Sequence, residues 1–129
     1  MKYYLSKIVE NTTIKELRPK VEAALKEVGF GVLTEIDIQK TMKEKLNKDY
    51  LPHLILGACS PVYADKILSV EPQISTLLPC NVTLRELGNN QVEVAAMNPL
   101  MAMKAVENDQ VKPIAQEVQN HLTQVVENL

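Results

Sequence analysis

Two cysteines, Cys59 and Cys80, are the only soft nucleophilic groups in this sequence, and each lies at a junction between predicted elements. Cys59 directly precedes Ser60-Pro61, a helix-start signal, because the hydroxyl can cap free N–H groups and proline suits the first helical position. The helix dipole and those N–H groups favour a thiolate, so we expect a lowered pKa at Cys59. The two cysteines are therefore the candidate catalytic residues.

Three kinds of role fit two such thiols. In a redox or sulfur-handling pair, one thiolate would attack and the other would resolve the adduct. In a metal or small-ligand site, both sulfurs would contact the bound group. In the third role, each cysteine is a small buried hydrophobic residue that takes part in no reaction. Contact between them is feasible, because a helix of about ten residues advances about 15 Å and an extended connector can span that distance back.

Few other donors accompany the cysteines. The candidate metal ligands are Cys59, Cys80 and His53, a sparse set without the spacing of a metal motif. We interpret the methionines at 97, 101 and 103 as packing residues and His121 as a surface residue of the last helix. No metal or cofactor is assigned. The candidate ligand-binding residues are Cys59, Ser60, Cys80, Asn81, Asp37 and Lys43.

Other patterns that could carry chemistry have simpler explanations. Glu35 and Asp37 are two residues apart on a predicted strand and could form a carboxylate pair, and the lysines of segment 40–48 could hold an anion. An exposed charged surface explains both patterns. Gly29-Phe30-Gly31 lacks the third glycine of a dinucleotide-binding loop and opens a strand. No enzyme class follows from these motifs.

The charge balance and length limit the partners that we expect. The 14 basic and 16 acidic residues form no basic block, so nucleic acid is not an expected partner. No apolar stretch approaches the roughly 18 residues of a membrane helix, and the N-terminus lacks the apolar core of a signal peptide. We expect a cytoplasmic protein with no membrane partner, folded as a single domain over residues 1–129.

Periodicity predicts the order β-α-β-α-β-α-β-β-α-α. Alternation at 32–38 predicts a strand with Ile36 on its buried face, and the apolar run at 54–58 predicts a strand buried on both faces. Pro19 predicts either a kink or a helix start near Arg18. We expect an extended connector at 73–79. A late hairpin over 82–96 excludes a purely parallel sheet, so we predict an α+β fold with a mixed, largely antiparallel sheet of about five strands and helices mainly on one face.

Four ordered segments resemble one known family. They are Gly29–Asp37, Thr41–Leu46, Ile55–Pro61 and Leu77–Val82, and together they are similar to the signatures of the domain-of-unknown-function 302 family over nearly the whole chain. The resemblance implies a compact α+β fold, similar to a single TBP-like unit, and a homodimer. It implies no reaction.

Three functional hypotheses remain open at this point. The first is binding of a small molecule or metal ion at a site formed by Cys59 and Cys80. The second is a thiol-based redox or sulfur-handling protein. The third is a dimeric interaction scaffold without catalysis.

Overall fold

A single five-stranded sheet organises the chain, which a computed structural model describes over residues 2–129. The strands are β1 (Tyr4–Glu10), β2 (Gly31–Asp37), β3 (His53–Cys59), β4 (Cys80–Gly88) and β5 (Gln91–Met97). Their spatial order is β1-β5-β4-β3-β2. The predicted α+β fold with a largely antiparallel sheet is confirmed, and every neighbouring pair of strands is antiparallel.

Within the described residues 2–129, five α-helices and one 3-10 helix complete the fold. They are α1 (Ile14–Glu27), α2 (Ile38–Leu46), α3 (Pro61–Val70), the 3-10 helix (Pro72–Leu77), α4 (Pro99–Ala102) and α5 (Val111–Glu127). Helix α1 begins at Ile14 and not near Arg18, so Pro19 lies inside the helix. The 3-10 helix occupies most of the connector that we expected to be extended. Within residues 2–129, no helix is long and apolar enough to cross a membrane.

Helices α1 and α5 cover one face of the sheet. Their apolar stripes pack on alternate residues of the three central strands, because side chains on one face of a strand recur every second residue. Each fully buried aliphatic side chain contributes about 1.5–3 kcal/mol relative to exposure. The valines and leucines with no exposed surface are Val21 and Leu25 of α1, Leu122 of α5, and Leu56, Val82, Leu84, Val92 and Val94 of the sheet.

Strand β2 departs from the predicted burial pattern. The register shifts between Val32, which pairs with Ala58, and Thr34, which pairs with Gly57, so Leu33 is an extra residue in the strand. Such a bulge reverses the facing of the residues that follow. The prediction that Ile36 lies on a buried face was wrong: its side chain is 49 % exposed on an edge strand.

Among residues 2–129, no helix covers the other face of the sheet, which we call the uncovered face. In strand β3, Leu54, Leu56 and Ala58 are buried under the helices, and on the other face Gly57 is buried while His53 and Ile55 are half-buried. The predicted burial of β3 on both faces therefore holds at Gly57 but not at Ile55. A second apolar cluster lies beyond the sheet edge and joins α3, the 3-10 helix and α5 around Ile67, Ile74, Met103, Val111 and Ala115.

Gly57 generates a testable prediction, because neighbouring side chains leave no space for a Cβ at this position of β3. A Cβ at this position would collide with Thr34 Oγ1 and lie 2.7 Å from Pro79 Cγ. We expect Gly57→Ala to lower the free energy of unfolding by about 1–3 kcal/mol, the usual cost of overpacking. Urea denaturation measures this change in the free energy of unfolding. Gly31→Ala is the matched control, since its Cβ meets no atom within 4 Å; equal losses in the two variants would contradict this account.

Candidate functional site

A small apolar cavity lies where β3 ends and β4 begins, between α3 and α5. We call it the thiol cavity; its walls include Cys59, Cys80, Tyr63, Ala64, Met103, Ala115 and Val118. Its volume is about 30 Å³, close to the space that one water molecule occupies. A larger ligand would therefore have to extend beyond it.

Cys80 is the buried thiol of the site. It is the first residue of β4, follows a cis Leu78–Pro79 peptide bond, and is only 5 % exposed. Burial, with a further contribution from Cys59, raises the pKa of the Cys80 thiol to about 11. The side chain is therefore a neutral thiol at pH 7 and not a thiolate.

Cys59 occupies the predicted junction but does not form a pair with Cys80. It is the last residue of β3, and Ser60 caps α3 by accepting the Tyr63 N–H at 3.5 Å. The cross-strand partner of Cys80 is Ala58. Successive strand residues point to opposite faces, so the Cys59 and Cys80 side chains leave the sheet in opposite directions. The expectation of a cysteine pair is corrected: both cysteines are free, and although both border the thiol cavity, their side chains are not placed as a pair.

Tyr63 and His121 form a polar contact at the wall of the thiol cavity that the sequence analysis missed. Tyr63 Oη lies 2.9 Å from His121 Nε2, and the Lys66 ammonium lies 5.4 Å from the centre of the tyrosine ring. Burial, and then the Glu117 carboxylate, raise the pKa of the Tyr63 phenol. His121 is half-buried and not simply a surface residue. One signal was available: His121 follows Val118 by three residues and lies at the edge of the apolar stripe of α5.

The other predicted ligand-binding residues do not gather at the cavity. Asn81 follows Cys80 in β4 and is exposed on the uncovered face of the sheet. Asp37 pairs in register with Leu54, at the far end of β3, where its carboxylate accepts the Lys40 N–H at 3.0 Å and caps α2. Lys43 forms an exposed ion pair with Asp49 at 3.0 Å. Only Cys59, Ser60 and Cys80 of the predicted set line the thiol cavity.

The three candidate metal ligands are also separated. His53 and Cys59 are at opposite ends of β3, about 20 Å apart for six residues of strand. Burial, and then the charge of Arg85, lower the pKa of His53. In the part of the chain that the structure describes, no cluster of three His, Cys, Asp or Glu side chains could hold a metal ion. The three predicted metal ligands therefore do not come together in one site.

The raised pKa of Cys80 predicts a specific loss of stability at high pH. The folded protein keeps the proton up to about pH 11, whereas an ordinary cysteine loses it near 9.0. The stability that the protonated Cys80 contributes is present in full below pH 9 and disappears as the pH rises to 11. The difference of two pKa units between the folded and unfolded protein corresponds to about 2–3 kcal/mol. Between pH 8.5 and 11.5, the wild type should lose about that much more unfolding free energy than Cys80→Ala, measured by urea denaturation. Cys59→Ala is the control and should keep most of the wild-type pH dependence, because burial, the larger cause of the raised pKa of Cys80, is retained. The same pH dependence in Cys80→Ala and the wild type would refute the prediction.

Comparisons with known proteins agree on the family. The family model described as "Domain of unknown function DUF302" matches residues 5–129. The fold is similar to the crystal structure of an uncharacterized conserved protein DUF302 from Bacillus stearothermophilus, with a TM-score of 0.90, 23 % sequence identity and 98 % of each chain covered. No curated protein shows significant similarity to the chain. With the match extending over nearly its whole length, the chain belongs to the DUF302 family.

Proposed function

We propose that this protein binds a small, predominantly apolar ligand, part of which occupies the thiol cavity. The observation that carries the proposal is the set of small residues around the buried Cys80 thiol. Three alanines, Ala58, Ala64 and Ala115, face a space that larger aliphatic side chains would fill. Ala64 and Ala115 lie inside helices, so the backbone conformation at these two positions does not itself require alanine.

The chemistry of the cavity wall defines the kind of ligand. A neutral thiol and aliphatic carbons offer dispersion contacts and weak hydrogen bonding, which suit an alkyl, aryl or thioether group. Tyr63 lines the cavity, and its hydroxyl is held by His121 at 2.9 Å. Ligand sites commonly combine such an apolar lining with few polar groups that fix orientation.

Two observations weigh against the thiol-redox alternative. A thiol with a pKa of about 11 has very little thiolate at pH 7, so Cys80 would be a poor nucleophile. Its side chain and that of Cys59 point to opposite faces of the sheet, which does not suit a resolving step between them.

We also propose that the protein is a homodimer that associates through the uncovered face of the sheet. The middle row of this face is uncharged and crosses all five strands: Ser6, Ala95, Thr83, Ile55 and Ile36. In the adjacent row, Arg85 and Glu93 neutralise each other at 2.6 Å. Interface cores are depleted in free charges, as this face is.

The dimensions of the uncovered face suit a second copy of the chain. Five strands of about seven residues span about 24 Å by 23 Å. This outline of about 550 Å², before side-chain relief is counted, approaches the roughly 800 Å² per partner of a standard interface. A dimer without a ligand would be the interaction scaffold of the third hypothesis.

Filling the thiol cavity tests the ligand proposal. We expect native mass spectrometry of the purified full-length protein to show a bound small-molecule mass, and Ala64→Leu to remove it, because the leucine side chain occupies the space. Cys80→Ser provides a second variant and should also weaken retention by placing a more polar group in the wall.

Ala23→Leu is the matched control, since the same substitution lies on the exposed face of α1. Thermal denaturation checks that each variant is folded. The ligand proposal would be contradicted if the wild type showed only the mass of the bare chain. It would also be contradicted if both cavity variants were folded and retained the bound small molecule fully.

An unpaired charge at the centre of the uncovered face tests the dimer. The wild type should elute with twice the chain mass of 14.4 kDa in size-exclusion chromatography with light scattering at about 10 µM. Ala95→Arg should dissociate it to monomers, because two buried arginines would meet without partners. The same change at exposed Ala23 should leave the dimer intact. A monomeric wild type, or a dimeric Ala95→Arg variant, would contradict the proposal.

A further inference from the structure

A second, larger cavity adjoins the thiol cavity. It is a groove of about 560 Å³ between α4, the loop that follows it and the first turns of α5, within the usual size range of ligand pockets. Its apolar lining includes Leu100, Met101, Met103 and Val111. We call it the methionine groove. Thioether side chains of this kind adapt to ligands of irregular shape.

Cations outnumber acids at the groove. Lys104 and Lys112 line it together with one acid, Asp109. Neither lysine forms an ion pair with a carboxylate among residues 2–129. Asn108 is already committed, because its amide donates to Val70 O at 2.9 Å and to Glu71 Oε1 at 3.1 Å. The lining of the groove therefore combines apolar side chains with two lysines and one acid, and neither lysine is held in an ion pair.

Met103 and Ala115 separate the groove from the thiol cavity, since both residues line both spaces. Met103 is 7 % exposed and is the flexible member of this wall, with three rotatable side-chain bonds. A change of its rotamer would open the groove toward Cys80. The thiol cavity alone holds about one water molecule, so a ligand that fills it can extend into the groove at this point.

We propose that the ligand is a straight-chain carboxylate, with its head group at Lys104 and Lys112 and its alkyl chain directed past Met103 toward Cys80. This inference deepens the proposed function and rests on it for the position of the chain end. The lysines supply the attraction for the anion, and the methionine groove removes the first part of the chain from water. Each additional CH₂ buried should raise the affinity about fourfold.

Calorimetry with three probes tests the inference on the full-length protein. Decanoate should bind more tightly than octanoate by about fourfold per added CH₂, and decyltrimethylammonium, of similar length and opposite charge, should bind at least tenfold more weakly than decanoate. The double variant Lys104→Gln with Lys112→Gln should lower decanoate affinity about tenfold. Lys15→Gln with Lys20→Gln, two exposed positions on α1, is the matched control and should bind as the wild type.

The role of Met103 requires a separate variant. Met103→Ile places a stiff, β-branched side chain in the wall and should remove most of the affinity advantage of decanoate over octanoate. Ala64→Leu should act in the same way by filling the thiol cavity, and it serves if Met103→Ile fails to fold.

Failure of the inference and failure of the proposed function have different signatures. The carboxylate assignment is wrong if the double lysine variant binds decanoate as tightly as the wild type, or if decyltrimethylammonium binds as tightly as decanoate. This holds even if Ala64→Leu still abolishes retention of the native ligand. If the lysine variant binds decanoate more weakly but Ala64→Leu changes neither decanoate binding nor the retained mass, the thiol cavity is not a binding site. The proposed position of the chain end then fails as well.

Discussion

The pairing register between β3 and β4 is the constraint on which the site depends. Leu56 pairs with Val82 and Leu54 with Leu84, and the helices cover all four side chains. A shift of one residue would turn this set toward solvent, at about 1.5–3 kcal/mol for each exposed side chain. The same register decides that Cys80 points inward and Asn81 outward. The chemical character of the site thus follows from packing several residues away.

One-sided coverage by the helices gives the two faces of the sheet different properties. Under α1 and α5 the surface is aliphatic and closed, and the thiol cavity lies where this cover gives way to α3 at the end of β3. The other face has neutral and mutually paired side chains but no cover from this chain. His53 belongs to this face and, with its pKa lowered, adds no full charge at neutral pH. A ligand and a second subunit would therefore use opposite faces of the sheet without competing.

Local signals predicted the elements well, whereas long-range geometry limited the prediction of the site. The capping pair Ser60-Pro61, the hairpin turn and the stripe of α5 act over a few residues, so the sequence reveals them. The bulge at Leu33 carries no such signal, and it reversed the faces of β2. The prediction of a cysteine pair failed for a related reason. The length of the connecting chain allowed contact, but strand pairing set the directions of the Cys59 and Cys80 side chains. His121 gained its role only because α5 packs beside Tyr63 of α3.

The energetic cost of the thiol cavity bears on what could occupy it. An empty space of about 30 Å³ costs about 0.7 kcal/mol, given about 24 cal/mol per Å³. That is small beside the 5–15 kcal/mol that stabilise a typical domain, so the fold does not need a ligand to close this gap. A bound group that fills it would recover a similar amount, which is a minor part of any useful affinity. Most of the binding free energy would therefore come from surface outside the thiol cavity, and the adjoining methionine groove has the volume and the apolar lining to supply it.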